Sequence, residues 1–391
     1  MRVAYVSADP GVPVYGTKGC SAHVREVVGC MLQQNLRVTL LARNLDGRRP
    51  DSLAGTHCVS LPAISRKDDA NTRELKALAS NEDILRLLRS TGPFDMVYER
   101  YSLWSSAAME YAKESGIPGL LEVNAPLIQE QALYRTLINR EAAQTSACRV
   151  FGAASALLAV SGGVREYLET IPSTIGKIHV VSNGVDVKRF KPWIVPILPA
   201  PDCITVGFVG GLKPWHGVEN LVRAFSVIAK QYPQSRLLIV GDGPQRQLLE
   251  EMAAEHPDCN IVFTGNVEST EVPGYLSSMD IGVAPYPNLE GFYFSPLKVY
   301  EYMAMGLPVI ASNIGDMESI IDHEVSGLLT TPGDVNSLVS ALNQLLASHS
   351  RRIQMGAAGR REVCENHTWA ATTRRIMEIA RSCEIGTKVA L

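Results

Sequence analysis

An alternation constrains this chain more than anything else in it. Short, uninterrupted apolar runs stand at 2–7, 37–42, 96–100, 118–123, 156–160 and 178–182, and a second series stands at 204–210, 236–241, 260–265, 280–285, 308–312 and 327–330. A strand without polar alternation is buried on both faces, and intervals long enough for helices supply the covering layers of a parallel sheet. After Ser21, a plausible N-cap, Ala22, Val24, Val27, Val28, Met31 and Leu32 recur at helical spacing, which predicts a helix over 21–34. Segment 126–152 is long enough for another, and helices are expected at 218–230, 245–255, from 296, 335–347, 351–363 and 369–382. Between the two series, prolines 192, 196, 199 and 201 forbid helix and ladder alike, so 190–202 reads as an extended connector.

The fold class is therefore α/β, with two doubly wound parallel-sheet domains over 1–190 and 191–368 and a closing helix over 369–391. With 391 residues the chain exceeds what one core of roughly 250–300 residues accommodates. Charged residues at 20% and a net charge of -3 give no basic footprint for nucleic acid. Residues 1–190 carry 22 Lys and Arg against 19 Asp and Glu, and the remainder 15 against 21. This mild asymmetry leaves open ordinary scatter or a peripheral contact with an anionic membrane surface. The eight cysteines form no C-x-x-C pair, which fits a reducing cytoplasm, and no apolar run reaches the roughly 18 residues of a membrane span.

In doubly wound sheets, ligands bind beyond the carboxyl ends of the strands. Residues 209–217, VGGLKPWHG, pass from a strand into a helix with Gly210, Gly211 and the possible cations Lys213 and His216. Free amides at such a helix start favour phosphate, although a tight turn would read the same way. Residues 240–244, VGDGP, repeat the pattern around Gly243. In 285–312, PYPNLEGFYFSPLKVYEYMAMGLPVIAS, Ser295 reads as N-cap and Pro296 as the first helical residue. Lys298 then lies in the first turn, where a cation opposes the helix dipole unless an anion sits between them. Glu301, one turn on, can accept two ribose hydroxyls or form a surface pair with Lys298.

These loops, together with the NGVD turn at 183–186, resemble retaining glycosyltransferases of family 4. The resemblance implies the GT-B fold, two Rossmann-like domains facing across a cleft, with a nucleoside-diphosphate sugar on the C-terminal domain and a hydroxyl acceptor on the N-terminal one. It implies transfer of a hexose-type sugar without metal or other cofactor, the nucleotide sugar being a co-substrate. UDP, the commonest nucleotide in the family, is the expected one. By the same resemblance Glu301 matches the second glutamate of the family's Glu-x7-Glu motif, while Tyr293 stands where the first would be, with Glu290 the nearest acid. Lys213 and Lys298 are left to meet the diphosphate. Leu297 and the backbone of Phe292 to Ser295 lie beside the donor. Gly16 and Gly19 resemble the loop that approaches the diphosphate from the acceptor domain.

On the acceptor side, His23 is either a cleft residue or a structural histidine. Glu122 and Asn124 follow a strand where relatives carry a histidine, and Arg100 is a further cleft candidate. A polysaccharide precursor, a lipid-linked sugar and a small natural product are all compatible acceptors. The expected location is the cytoplasm, with the inner face of the membrane as a variant. The alternatives are a GT-B relative that epimerises or hydrolyses the nucleotide sugar, and a non-catalytic regulator that binds it.

Overall fold

The computed structural model describes residues 1–16 and 18–389, with side chains described through Cys383. The chain divides into two compact units, one comprising Met1–Asn183, Tyr293–Ser295 and the chain from Trp369, the other Gly184–Phe292 and Pro296–Thr368. The first unit thus closes at Asn183, ahead of the proline-rich segment, and residues 190–202 lie in the second.

The first unit holds seven parallel strands: β1 (Arg2–Ser7), β2 (Arg37–Ala42), β3 (His57–Ser60), β4 (Met96–Arg100), β5 (Gly119–Val123), β6 (Ala156–Ala159) and β7 (Ile178–Val180). Their order is β3-β2-β1-β4-β5-β6-β7. The second holds six: β8 (Ile204–Val209), β9 (Ser235–Val240), β10 (Ile261–Phe263), β11 (Ile281–Ala284), β12 (Val309–Ser312) and β13 (Gly327–Thr330), in the order β10-β9-β8-β11-β12-β13. In both sheets the order of successive strands reverses at one place, between β1 and β4 and between β8 and β11. Such a switch point leaves a crevice at the carboxyl ends of the strands.

The central strands are fully buried, as continuous apolar runs require: Val3, Ala4, Tyr5 and Val6 in β1, and Val206 and Phe208 in β8, expose nothing to solvent. In the second unit Leu221, Val222 and Phe225 of helix Val218–Ile228 pack with Leu338 and Leu342 of helix Val335–Leu346 over β8 and β9.

Three expectations are corrected, and one strand was not foreseen. β3, an edge strand of sequence HCVS with no residue fully buried, carries no apolar run and escapes sequence reading. The helix expected over 21–34 runs Gly19–Gln33, and Ser21 lies inside it with no capping role. The expected 126–152 helix is two, Leu127–Tyr134 and Arg140–Ala153. The break is set from a distance, because the Glu74 carboxylate accepts from the amides of Ile138 and Asn139 at 3.1 and 2.8 Å. Ser295 is no N-cap either: helix Leu297–Ala304 is preceded by Pro296 and no side chain caps it, while Ser295 Oγ accepts from the Asn183 amide at 3.3 Å.

Candidate functional site

At the switch point of the second unit, the loop after β8 and the loop after β11 meet through glycine. Gly217 caps helix Val218–Ile228 with φ of 64°, and any side chain there would collide with the Pro285 carbonyl. Gly210, at φ of 144°, leaves room for Lys298: an added Cβ would lie 3.2 Å from Nζ. Gly243, in the loop after β9, lies against Leu212, so three strand-end loops converge here. Gly211 is exposed, and its carbonyl accepts from His216 Nδ1–H.

Lys298, in the first turn of helix Leu297–Ala304, turns inward. Its Nζ is buried with no protein hydrogen-bond partner and rests 4.3 Å from the Phe208 ring centroid and 5.4 Å from that of Tyr286. Burial pushes its pKa down to about 7, and Glu301 opposes the shift. A buried ammonium without a counterion is costly, so the arrangement is complementary to an anion. His216 is lowered to about 3, by burial first and then by Lys298. Lys213 is only partly buried, its ammonium 5.8 Å from the Trp215 ring centroid. Glu301 is partly buried one turn beyond Lys298, and Leu297 opens the helix.

The segment expected to meet the sugar is divided. Phe292 is buried in the second unit, its ring edge-on to Tyr286 at 5.1 Å, whereas Glu290 is exposed. Tyr293–Ser295 pack with the first unit, where the Tyr293 carbonyl accepts from Ser161 Oγ at 2.7 Å and its hydroxyl donates to Glu130 at 3.4 Å.

In the first unit the switch point gathers all four acceptor-side candidates. Parallel register sets Arg100 of β4 opposite Glu122 of β5. Glu122 is buried and wholly engaged: His23 Nε2 lies 3.0 Å from Oε2, Tyr98 donates its hydroxyl to the same oxygen, and Asn124 Nδ2 donates to Oε1 at 2.8 Å. Burial pushes this carboxyl up, but His23, Arg100 and Tyr98 outweigh it and hold it at about 2. Glu122 is thus a buried hub, with both carboxylate oxygens engaged by protein partners. His23 is 5% exposed and stacks on Trp369, with ring centroids 4.9 Å apart, as a structural histidine would. Arg100 Nε and Asn124 Oδ1 remain, one donor and one acceptor, buried without protein partners. Gly19 begins helix Gly19–Gln33, and the Gly16 carbonyl accepts from the Arg25 guanidinium of the same helix.

Tyr98, Trp369, Phe208 and Tyr286 were not legible as site residues, since each reads as an ordinary apolar core position. Glu99 was missed too: buried on the opposite face of β4, it is pushed up to about 7 by desolvation, and Ser105 donates to it.

Residues 203–348 match the family of glycosyl transferases group 1, and residues 17–189 match glycosyltransferase family 4. A GDP-mannose-dependent alpha-(1-6)-phosphatidylinositol monomannoside mannosyltransferase of Mycobacterium tuberculosis is 28% identical over 240 residues, covering 57% of this chain and 60% of that one. The chain therefore spans less than two thirds of that relative's length. Sucrose-phosphate synthase from Thermosynechococcus elongatus superposes with a TM-score of 0.74 at 22% identity, over 97% of this chain and 98% of that one. Anabaena HepE, solved in complex with UDP and glucose, gives 0.70 at 16% identity, over 97% and 99%. At these identities the likeness is one of fold, and the fold is GT-B, as the sequence implied.

Proposed function

On the premise of a GT-B fold whose two halves match glycosyltransferase families, a family 4-like chain, we propose that the protein moves a hexose from a nucleoside-diphosphate sugar to a hydroxyl acceptor, with retention and without metal. The buried, unpartnered ammonium of Lys298 beside Gly210 carries this reading. The diphosphate binds there, at the start of helix Leu297–Ala304, with Lys213 at its edge and Glu301 on the ribose. As the bond from the anomeric carbon to the diphosphate oxygen breaks, charge develops on that oxygen, and Lys298 meets it. The acceptor oxygen bonds to the anomeric carbon on the same face. Its proton passes to the departing diphosphate, so no protein nucleophile is required.

Arg100 Nε and Asn124 Oδ1, one donor and one acceptor, suit an acceptor hydroxyl. A polysaccharide precursor, a lipid-linked sugar or a small natural product would present one. No helix among the described residues is long and apolar enough to cross a membrane, so a lipid-linked acceptor implies peripheral contact. UDP is the expected nucleotide, and the mycobacterial relative makes GDP the competitor.

A thermal-shift series with UDP, GDP, ADP, CMP and NAD, each with and without chelator, tests the reading. A ligand at 100 times its Kd adds about 2.7 kcal/mol. Stabilisation by one nucleoside diphosphate that survives chelation and vanishes in Glu301→Ala is the expected result. Stabilisation by NAD alone, or by nothing, overturns it, and turnover of the sugar nucleotide without acceptor would make the protein an epimerase or hydrolase.

A further inference from the structure

Phe208 and Tyr286, the rings that flank the Lys298 ammonium, also flank the His216 ring, at centroid distances of 6.0 and 6.1 Å. Because His216 Nδ1–H is committed to the Gly211 carbonyl, a proton added to this ring goes to Nε2. Two bases therefore share two aromatic walls, and the amine between them has no protein partner.

The surrounding charges are few. Glu301 favours the ammonium form of Lys298, while Lys213 and Lys298 both disfavour a charge on His216. The Asp242 carboxylate, from the loop after β9, is engaged by Arg246. Glu219 lies in the first turn of helix Val218–Ile228, and the buried phenols of Tyr286 and Tyr302 are held protonated by desolvation.

Resting on the donor-site reading above, we infer that this pair is charged by its ligand: a nucleoside diphosphate arriving at Lys298 and His216 draws one proton onto the ε-amine and another onto His216 Nε2, so that donor binding is also proton uptake. The protons come from solvent, and no bond other than N–H forms. Burial supplies the cause, since it disfavours both cations until an anion compensates them. With Lys298 near 7 and His216 near 3 in the free protein, the amine loads at mildly alkaline pH and the imidazole only at lower pH. The aromatic walls thus discriminate for ligands carrying enough negative charge to pull the protons in, a diphosphate rather than a carboxylate or a neutral sugar.

Calorimetric titration of the full chain with UDP, and in parallel GDP, in two buffers of different ionisation enthalpy tests this. At about pH 8 the ligand's phosphates are already ionised, so buffer-dependent heat reports the protein, and uptake approaching one proton is expected, with affinity falling up to about tenfold per pH unit above it. Lys298→Arg, permanently charged, should bind with little uptake and a flattened pH dependence. Near pH 6, His216→Gln should take up fewer protons than the parent, the ligand's own titration being common to both. Binding with equal heats in the two buffers overturns the inference while leaving the donor site standing. Uptake undiminished in both variants overturns it too, by assigning the protons elsewhere. If no nucleoside diphosphate binds the parent protein, the inference falls together with the donor-site reading.

Discussion

The two switch points share a strand order and differ in how they treat charge. Between β1 and β4, the Glu122 carboxylate is surrounded by His23, Tyr98 and Asn124 until both oxygens are occupied. Between β8 and β11, the Lys298 ammonium rests on aromatic faces with no protein acceptor. A satisfied buried ion holds its surroundings in place, and an unsatisfied one lowers stability in exchange for a site an anion can complete. The topology provides two like crevices, and side-chain pairing decides which holds an ion already satisfied by the protein and which holds one without a protein partner.

Breaking the satisfied side should cost the most. Glu122→Ala leaves His23 and Tyr98 facing a gap, and a loss of about 3–5 kcal/mol is expected in denaturant unfolding. A loss under about 1 kcal/mol would show that the carboxylate is not the hub its contacts describe. Lys298→Ala should do the reverse, lowering kcat by about ten- to a thousand-fold while the melting temperature holds or rises. Unchanged transfer would remove Lys298 from the mechanism.

The two ions should also separate by pH. The folded pKa of Lys298 lies near 7 against an ordinary 10.5, so between those values the unfolded chain binds the proton that the folded one lacks, and stability rises with pH. The folded pKa of Glu122 lies near 2 against 4.5, so its contribution is complete above 4.5 and is lost as pH falls towards 2. Melting curves of Lys298→Met should lose the alkaline rise and keep the acid fall. The smallest effect belongs to Trp369→Phe, which keeps a ring on His23 and should cost no more than about 1 kcal/mol. A larger loss would make the stacking with His23 a principal tie of the last helix.

Much of this was legible in the sequence because it is local. Continuous apolar runs gave every strand but β3, and the glycines of VGGLKPWHG and VGDGP marked loops that do converge on one crevice. Local rules failed where a distant residue intervened. The helix broken near Arg135 answers to Glu74, 65 positions before Asn139, and Ser295, placed like a helix cap, is taken by Asn183. Glu122 looked available for an acceptor because its partner His23 lies on the first helix of the chain, and nothing in LEVNAP announces that pairing. Residue type drew attention to these positions, and only packing shows that the Glu122 carboxylate is paired within the protein while the Lys298 ammonium is not.

The stacking of His23 on Trp369 has a consequence for how the protein is made. The seven strands of the first unit are synthesised before those of the second, but the first unit is completed by residues from Trp369 onward, and Gly184–Thr368, apart from Tyr293–Ser295, must be synthesised in between. At roughly 5–20 residues per second, that interval is about ten to forty seconds. Throughout it, the surface of helix Gly19–Gln33 that receives the helix from Trp369 faces solvent or a chaperone, so of the two units the one begun earlier is finished later.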